Sequence, residues 1–173
     1  MLTVYTIGHS THPFDVFLGL LQAQGVVQVA DVRTVPRSRR HPQFERDRLE
    51  ASLQAAGLAY RHFPGLGGLR KPRPDSANTA WRNENFRGYA DYMQSAAFRT
   101  ALVEFEAFAR EGRTAAMCAE AIWWQCHRRL LADALLVLRV PVRHILPSGA
   151  AKPHELSEFA REHLGGVIYP GLL

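Results

Sequence analysis

The chain alternates between two hydrophobic rhythms. Leu2-Thr3-Val4-Tyr5-Thr6-Ile7 is rich in β-formers and stops at Gly8; Phe14, Phe17, Leu18 and Leu21 then recur at helical spacing up to Gly25. This is a strand, a turn and a helix. Residues 26–32 form a nearly continuous apolar run, the pattern of a strand covered on both faces in a parallel sheet. Leu49, Leu53 and Ala56 mark a helical face over 45–56 that ends at Gly57, and 58–63 resumes as a strand. Tyr89, Tyr92, Met93, Phe98, Leu102, Phe105 and Phe108 predict one or two helices over 86–110, closed by Gly112 and followed by a short strand at 114–118. A helix over 125–138 turns Leu130, Leu131, Ala134, Leu135 and Leu138 inward. A last strand spans 140–146 with Pro141 near its start, and the spacing over 154–164 predicts a closing helix.

Five short strands alternating with helices predict a single α/β domain over residues 1–173. Its architecture is an open, mostly parallel five-stranded sheet flanked by helices, a Rossmann-like three-layer arrangement with right-handed crossovers. Residues 64–85 hold Pro64, Gly65, Gly67, Gly68, Pro72 and Pro74 with no periodic apolar pattern, so they read as a long basic surface loop of the kind that carries function. Ligands bind such sheets outside the carboxyl ends of the strands. That rule directs attention to Gly8-His9-Ser10, Asp31-Val32-Arg33, Phe63 to Gly68, Cys118-Ala119-Glu120, and His144 to Ser148.

Composition narrows the classes. With 47% hydrophobic and 21% charged residues the chain is an ordinary globular one, not a collagen, a coiled coil or a disordered tail. No apolar run approaches the ~20 residues that cross a bilayer, and the N-terminus lacks a basic region leading an apolar stretch, so the expected location is the cytoplasm with no membrane partner. Two cysteines cannot build a disulfide framework, which leaves them a chemical role if they have one. The net charge of +5 is concentrated: residues 33–87 hold 12 Lys and Arg against 5 Asp and Glu. Nearly all the basic residues are Arg, the side chain suited to planar, bidentate recognition of phosphate or carboxylate.

The densest reactive stretch runs from Cys118 through Glu120, Cys126, His127 and Arg128 to Arg129. Cys126 falls at the predicted helix start, where the helix dipole, His127 and Arg128 favour a thiolate, which makes it a candidate nucleophile. His127 and Glu120 are candidate proton carriers. The plainer reading pairs Glu120 with Arg128 or Arg129 and makes both thiols buried fillers. A structural zinc is disfavoured: the gap between the cysteines exceeds the short spacing of structural sites, and adjacent residues of a helix, such as Cys126 and His127, point about 100° apart. No metal is therefore expected. Gly8, His9 and Ser10 suit an anion held before a helix, or Ser10 or Thr11 serves as a plain N-cap. Asp31 and Arg33 share a face of their strand and form either an ion pair or part of a binding site. Arg37 and Ser38 lie on a proline-stiffened loop with Arg39 and Arg40, as phosphate contacts require. Gly65 to Lys71 is neither a P-loop nor a G-x-G-x-x-G helix opening.

Tyr5-Thr6-Ile7-Gly8-His9-Ser10, Asp31-Val32-Arg33 with Pro36 and Ser38, Leu66-Gly67-Gly68, Phe86-Arg87-Gly88-Tyr89-Ala90, and Cys118-Ala119-Glu120 with Cys126-His127-Arg128 occur in this order. Together they resemble the prokaryotic family catalogued as domain of unknown function 488, from residue 4 to about residue 160. The resemblance implies a fold and a shared site at Cys118, Glu120, Cys126, His127 and Arg128, without naming a reaction or a cofactor. Gln125 stands where that family often has arginine, and Trp123 where proline is common. Two functions compete. One is an enzyme handling a small anionic or phosphorylated ligand, with Arg33, Arg37 and Arg128 binding the anion. The alternative is a nucleic-acid binding or processing protein that uses the basic 33–87 segment, with Tyr60, Trp81, Phe86 and Tyr89 available for stacking.

Overall fold

The computed structural model describes residues 2–171. The element order is β1 (Val4–Gly8), α1 (Phe14–Ala23), β2 (Gln28–Asp31), α2 (Arg46–Ala55), β3 (Ala59–His62), α3 (Glu84–Tyr92), α4 (Ala96–Glu111), β4 (Thr114–Cys118), α5 (Arg128–Val137), β5 (Val142–Ile145), β6 (Ala151–Pro153), β7 (Arg161–His163) and β8 (Gly166–Ile168). The strands β3-β2-β4-β1-β5 run parallel, and β6 adds an antiparallel edge beside β5. The sheet therefore has six strands where the hydrophobic pattern predicts five. The sixth is short and carries Pro153, and neither feature reads as a strand in sequence.

Two apolar cores cover the two faces. Phe17 and Leu21 of α1 and Leu49 and Leu53 of α2 pack on Ile7, Val29, Ala115 and Met117. On the opposite face Tyr89 of α3, Phe98, Leu102 and Phe105 of α4, and Leu130, Leu131 and Leu135 of α5 pack on Val4, Ala30, Ala116 and Cys118. Alternate residues of β4 thus feed alternate cores, which is why its whole length is buried. Each fully buried Leu or Phe contributes about 1.5–3 kcal/mol, so the three layers are mutually dependent. Side-chain caps set two helix starts: Asn83 accepts from the N–H of Asn85 and Phe86, and Ser95 from that of Phe98.

Residues 161–168 form a β-hairpin, and the helix predicted over 154–164 does not form. The Ser157 N–H donates to the Asp133 carboxylate instead of entering a helical ladder, and His154 bonds the same carboxylate. Leu164 and Gly165, at φ 48° and 74°, then make the two-residue turn that pairs His163 with Gly166. Helix α5 also starts later than its apolar spacing predicts, at Arg128, after a 3-10 turn over Trp123–Gln125.

The register aligns Gly8 with Cys118 and Asp31 with Met117, so the carboxyl ends of β1, β4 and β2 finish level. The helices that follow β1 and β2 lie on one face and the helix that follows β4 lies on the other. The chain thus diverges on either side of β4, which opens a crevice there.

Candidate functional site

The wall of the crevice is built from main chain. The N–H groups of His9 and Ser10 donate to the carbonyls of Cys118 and Ala119, each at 2.9 Å, tying the tail of β1 to the tail of β4. The approach is close enough that a Cβ at Gly8 would overlap the Glu120 carbonyl oxygen. With those N–H groups spent, this segment offers the crevice the His9 imidazole and the Ser10 side chain. Neither Ser10 nor Thr11 caps α1; Pro13 holds the N-cap position with no side-chain bond. Ser10 itself has φ 47°, a left-handed conformation at the mouth of the site.

One side of the crevice is a closed ionic network. The Arg33 guanidinium donates to both Asp31 oxygens, at 2.9 and 2.6 Å, and to the Phe44 carbonyl at 2.9 Å, and lies 3.5 Å from His9 Nε2. Tyr60 donates its hydroxyl to the second Asp31 oxygen at 2.7 Å. Asp31 is fully buried and Arg33 nearly so. Burial works against the Arg33 charge, but its bond to Asp31 outweighs this and raises its pKa. Burial also pushes the Tyr60 hydroxyl well up and holds His9 down at about 4, with Arg33 adding to the His9 effect, so His9 is neutral at pH 7. Of the two sequence readings for this pair, the geometry is that of a structural ion pair, with Arg33 largely committed before a ligand arrives.

The other side carries the thiols. His127 Nε2 lies 3.0 Å from the Val32 carbonyl, an acceptor only, so Nε2 carries a hydrogen and donates it there. Nδ1 faces Cys126 Sγ at 3.6 Å and Cys118 Sγ at 3.9 Å. The two cysteines are free, and both are buried. Hydrogen bonding between them raises the Cys118 thiol and lowers that of Cys126, and Arg128 favours the anion at both. Arg128 is 1% exposed, donates through Nε to Cys126 Sγ at 3.4 Å and bonds the Glu120 carbonyl. It pairs with no carboxylate among the described residues. A buried guanidinium requires a counter-charge, and the Cys126 thiolate is the group placed to supply it. Gly68 packs the 64–85 loop onto the imidazole, where an added Cβ would lie 2.5 Å from Nδ1.

Between the two sides a cavity of about 330 Å³ is lined by Arg33, Arg37, Gly68, Cys118, Glu120, Cys126 and His127. A second cavity shares Glu120 and Gln125 with it and adds His9, Ser10, Ser38, Arg39 and Arg40. Four of the five strand-end segments thus meet at one cleft. The fifth does not: the turn after β5 lies against Leu20 and Gln24 of the α1 region. Arg128 lies beneath Cys126 rather than facing the cleft. Glu120 is exposed and forms no salt bridge with Arg128 or Arg129. Cys126 and His127 precede α5 instead of riding on it, so the divergence expected of helical neighbours does not apply. Two aromatics proposed for stacking are withdrawn from solvent, Trp81 at 6% and Tyr89 at 0% exposed.

Sequence reasoning missed a buried chain behind the thiols. His144 lies 2.6 Å from Thr6 Oγ1 and 2.9 Å from His154, whose other nitrogen meets Asp133 at 2.8 Å, and Tyr169 donates to the same carboxylate. The His144 ring stacks on Trp123 at 3.9 Å. Burial, His154 and Arg128 hold its pKa down at about 2. Its partners are spread from residue 6 to residue 169, and no local spacing signals that assembly.

A model of the domain of unknown function DUF488 matches residues 13–135. The chain belongs to this family. The match takes in Asp31, Arg33, Cys118, Glu120, Cys126, His127 and Arg128, and it stops short of His9 on one side and His144 on the other. No curated protein and no solved structure matches this DUF488 chain. Among the described residues no helix is long and apolar enough to cross a membrane.

Proposed function

We propose that this chain is an enzyme that handles a small anionic or phosphorylated substrate in the cleft at the carboxyl ends of β1, β2 and β4. One observation carries the reading: a buried thiol pair and an imidazole form the floor of a cavity rimmed by Arg37, with Arg39 and Arg40 at the adjoining cavity, and these three arginines have no acidic partners among the described residues. Arg37, Arg39 and Arg40 are exposed and form no salt bridge among the described residues. They are free to grip a phosphate or carboxylate in the bidentate manner Arg favours. Arg33, neutralised by Asp31, shapes this edge of the cleft, and Arg128 favours the thiolate from below. Glu120, exposed at the junction of the two cavities, is the group placed to exchange a proton with bound substrate.

The test is anion protection. Phosphate, pyrophosphate, a phosphate monoester and small carboxylates are titrated while Cys126 alkylation and the melting temperature are followed. At least one should slow alkylation and raise the melting temperature, and Arg37→Ala should weaken both effects about tenfold or more. Failure of every anion would overturn the reading. So would micromolar binding of mixed-sequence nucleic acid whose log affinity falls several units per log unit of salt and is lost when Arg37, Arg39 and Arg40 become Ala. That outcome would install the nucleic-acid alternative, which the burial of Trp81 and Tyr89 leaves with Tyr60 and Phe86 as its stacking candidates.

A further inference from the structure

We propose that Cys118, Cys126 and His127 bind a single thiophilic divalent cation of the zinc class, with its fourth coordination position open to the cleft. The inference deepens the enzyme reading and rests on it only for the purpose of the metal, not for its binding. The three donor atoms lie within 4.8 Å of one another, and all three residues are buried. In a tetrahedral site with bonds of about 2.3 Å to sulfur and about 2.0–2.1 Å to nitrogen, sulfur and nitrogen ligands stand about 3.6 Å apart. The observed separations are 3.6 and 3.9 Å.

The second observation is the state of His127. Its Nε2–H is fixed on the Val32 carbonyl, the outer hydrogen bond that orients a metal-bound histidine, and its Nδ1 is turned to the sulfurs. Nδ1 and the two sulfurs are thus turned toward one point. A cation among the three satisfies all of them at once. Arg128 adds a further element by donating to Cys126 Sγ, as a group stabilising a thiolate ligand does.

The donor set selects the ion. Two thiolates and an imidazole suit zinc-class metals and disfavour magnesium and calcium. Three protein ligands mark a site that keeps one position for water or substrate, in contrast to the four of a closed structural site. No fourth protein donor joins the cluster among the described residues: the Asp31 oxygens are taken by Arg33 and Tyr60, and Glu120 lines the cavity without joining the set. The position therefore faces the 330 Å³ cavity, within reach of an anion held by Arg37. In the metal-bound protein the thiols act as ligands, and the anionic substrate meets a Lewis acid at the floor of the cleft.

The experiment uses the full, untagged chain. Zinc content is measured on protein expressed with zinc, and chelator-stripped, fully reduced protein is titrated with Co²⁺ and then with Zn²⁺. One equivalent of zinc is expected. Cobalt should give a thiolate-to-metal charge-transfer band and the visible bands of four-coordinate geometry, both abolished by added zinc. Cys118→Ser and His127→Gln should each weaken cobalt binding by more than about 100-fold, the upper end of what even second-shell losses cost. The proposal falls if reduced, folded wild-type protein gives no charge-transfer band with excess cobalt, or if the band is unchanged in Cys118→Ser and in Cys126→Ser. The wild-type spectrum decides the matter even where a variant fails to fold. Metal binding without anion protection would sink the enzyme reading and keep this one. Anion protection in protein that takes up no metal would do the reverse.

Discussion

Two buried polar clusters sit at neighbouring strand ends, and they differ in how far their bonding is satisfied. Around Asp31 and Arg33, both carboxylate oxygens are occupied and the guanidinium reaches Asp31, Phe44 and His9. Around Cys118, Cys126 and His127, two sulfurs converge on one nitrogen, and a buried arginine has a sulfur in place of a carboxylate. Burial and charge are common to both. What separates a structural cluster from a reactive one is unspent bonding capacity directed at a single point.

The largest expected effect breaks the satisfied cluster. Asp31→Asn leaves the Arg33 charge buried and unpaired and should cost about 3–5 kcal/mol in urea unfolding, whereas Cys118→Ser should cost about 1–2 kcal/mol. Equal costs would erase the distinction between the two sides. Next comes acid. The His9 pKa is lowered to about 4, from an ordinary value of 6.5, by burial and then by Arg33. Below pH 6.5 the unfolded chain takes up a proton that the folded chain refuses, so this stabilisation is complete above 6.5 and is lost as the pH falls through 4. At about 1.4 kcal/mol per pH unit the loss over that interval is about 3 kcal/mol. His9→Gln should flatten that part of the stability profile, and the decline due to His144 should continue toward pH 2. An unchanged profile would show that His9 is not held neutral by this network. The smallest effect sharpens the reactive cluster. In metal-stripped protein at pH 7, Cys126 should react with iodoacetamide faster than Cys118, and Arg128→Met should slow it, because the thiolate loses the guanidinium beside it. Equal, slow labelling of both thiols would reduce them to packing groups.

Much of the architecture was legible because buried strands and amphipathic helices write their environment into residue spacing. The run over 26–32 and the helical faces of α1, α2 and α4 translate directly into layers. The C-terminal segment was not legible: Leu156, Phe159, Ala160 and Leu164 imitate helical spacing, while the backbone of Ser157 is claimed by Asp133, which lies on another helix. The same limit governs the site. The motifs at Asp31, Cys118 and Cys126 mark its residues, and strand-end topology brings them together. That Arg33 is consumed by its neighbour, that Arg128 is sunk under a thiol, and that Val32 orients the His127 ring all depend on three-dimensional contacts that spacing does not encode.

The strand order also dictates a sequence of assembly. β1 and β2 do not touch; β4 lies between them and pairs with both. A chain emerging from the ribosome can pair β2 with β3 early, but β1 has no strand partner until β4 arrives, because β5 comes later still. The central pairing therefore closes a long loop, a step that topology makes slow. Cys118, the last residue of β4, enters the fold with the strand that joins the two halves. Truncation ahead of β4 would thus leave not a smaller domain but two unjoined pieces, a β2–β3 pair and a lone N-terminal strand with its edges open to aggregation.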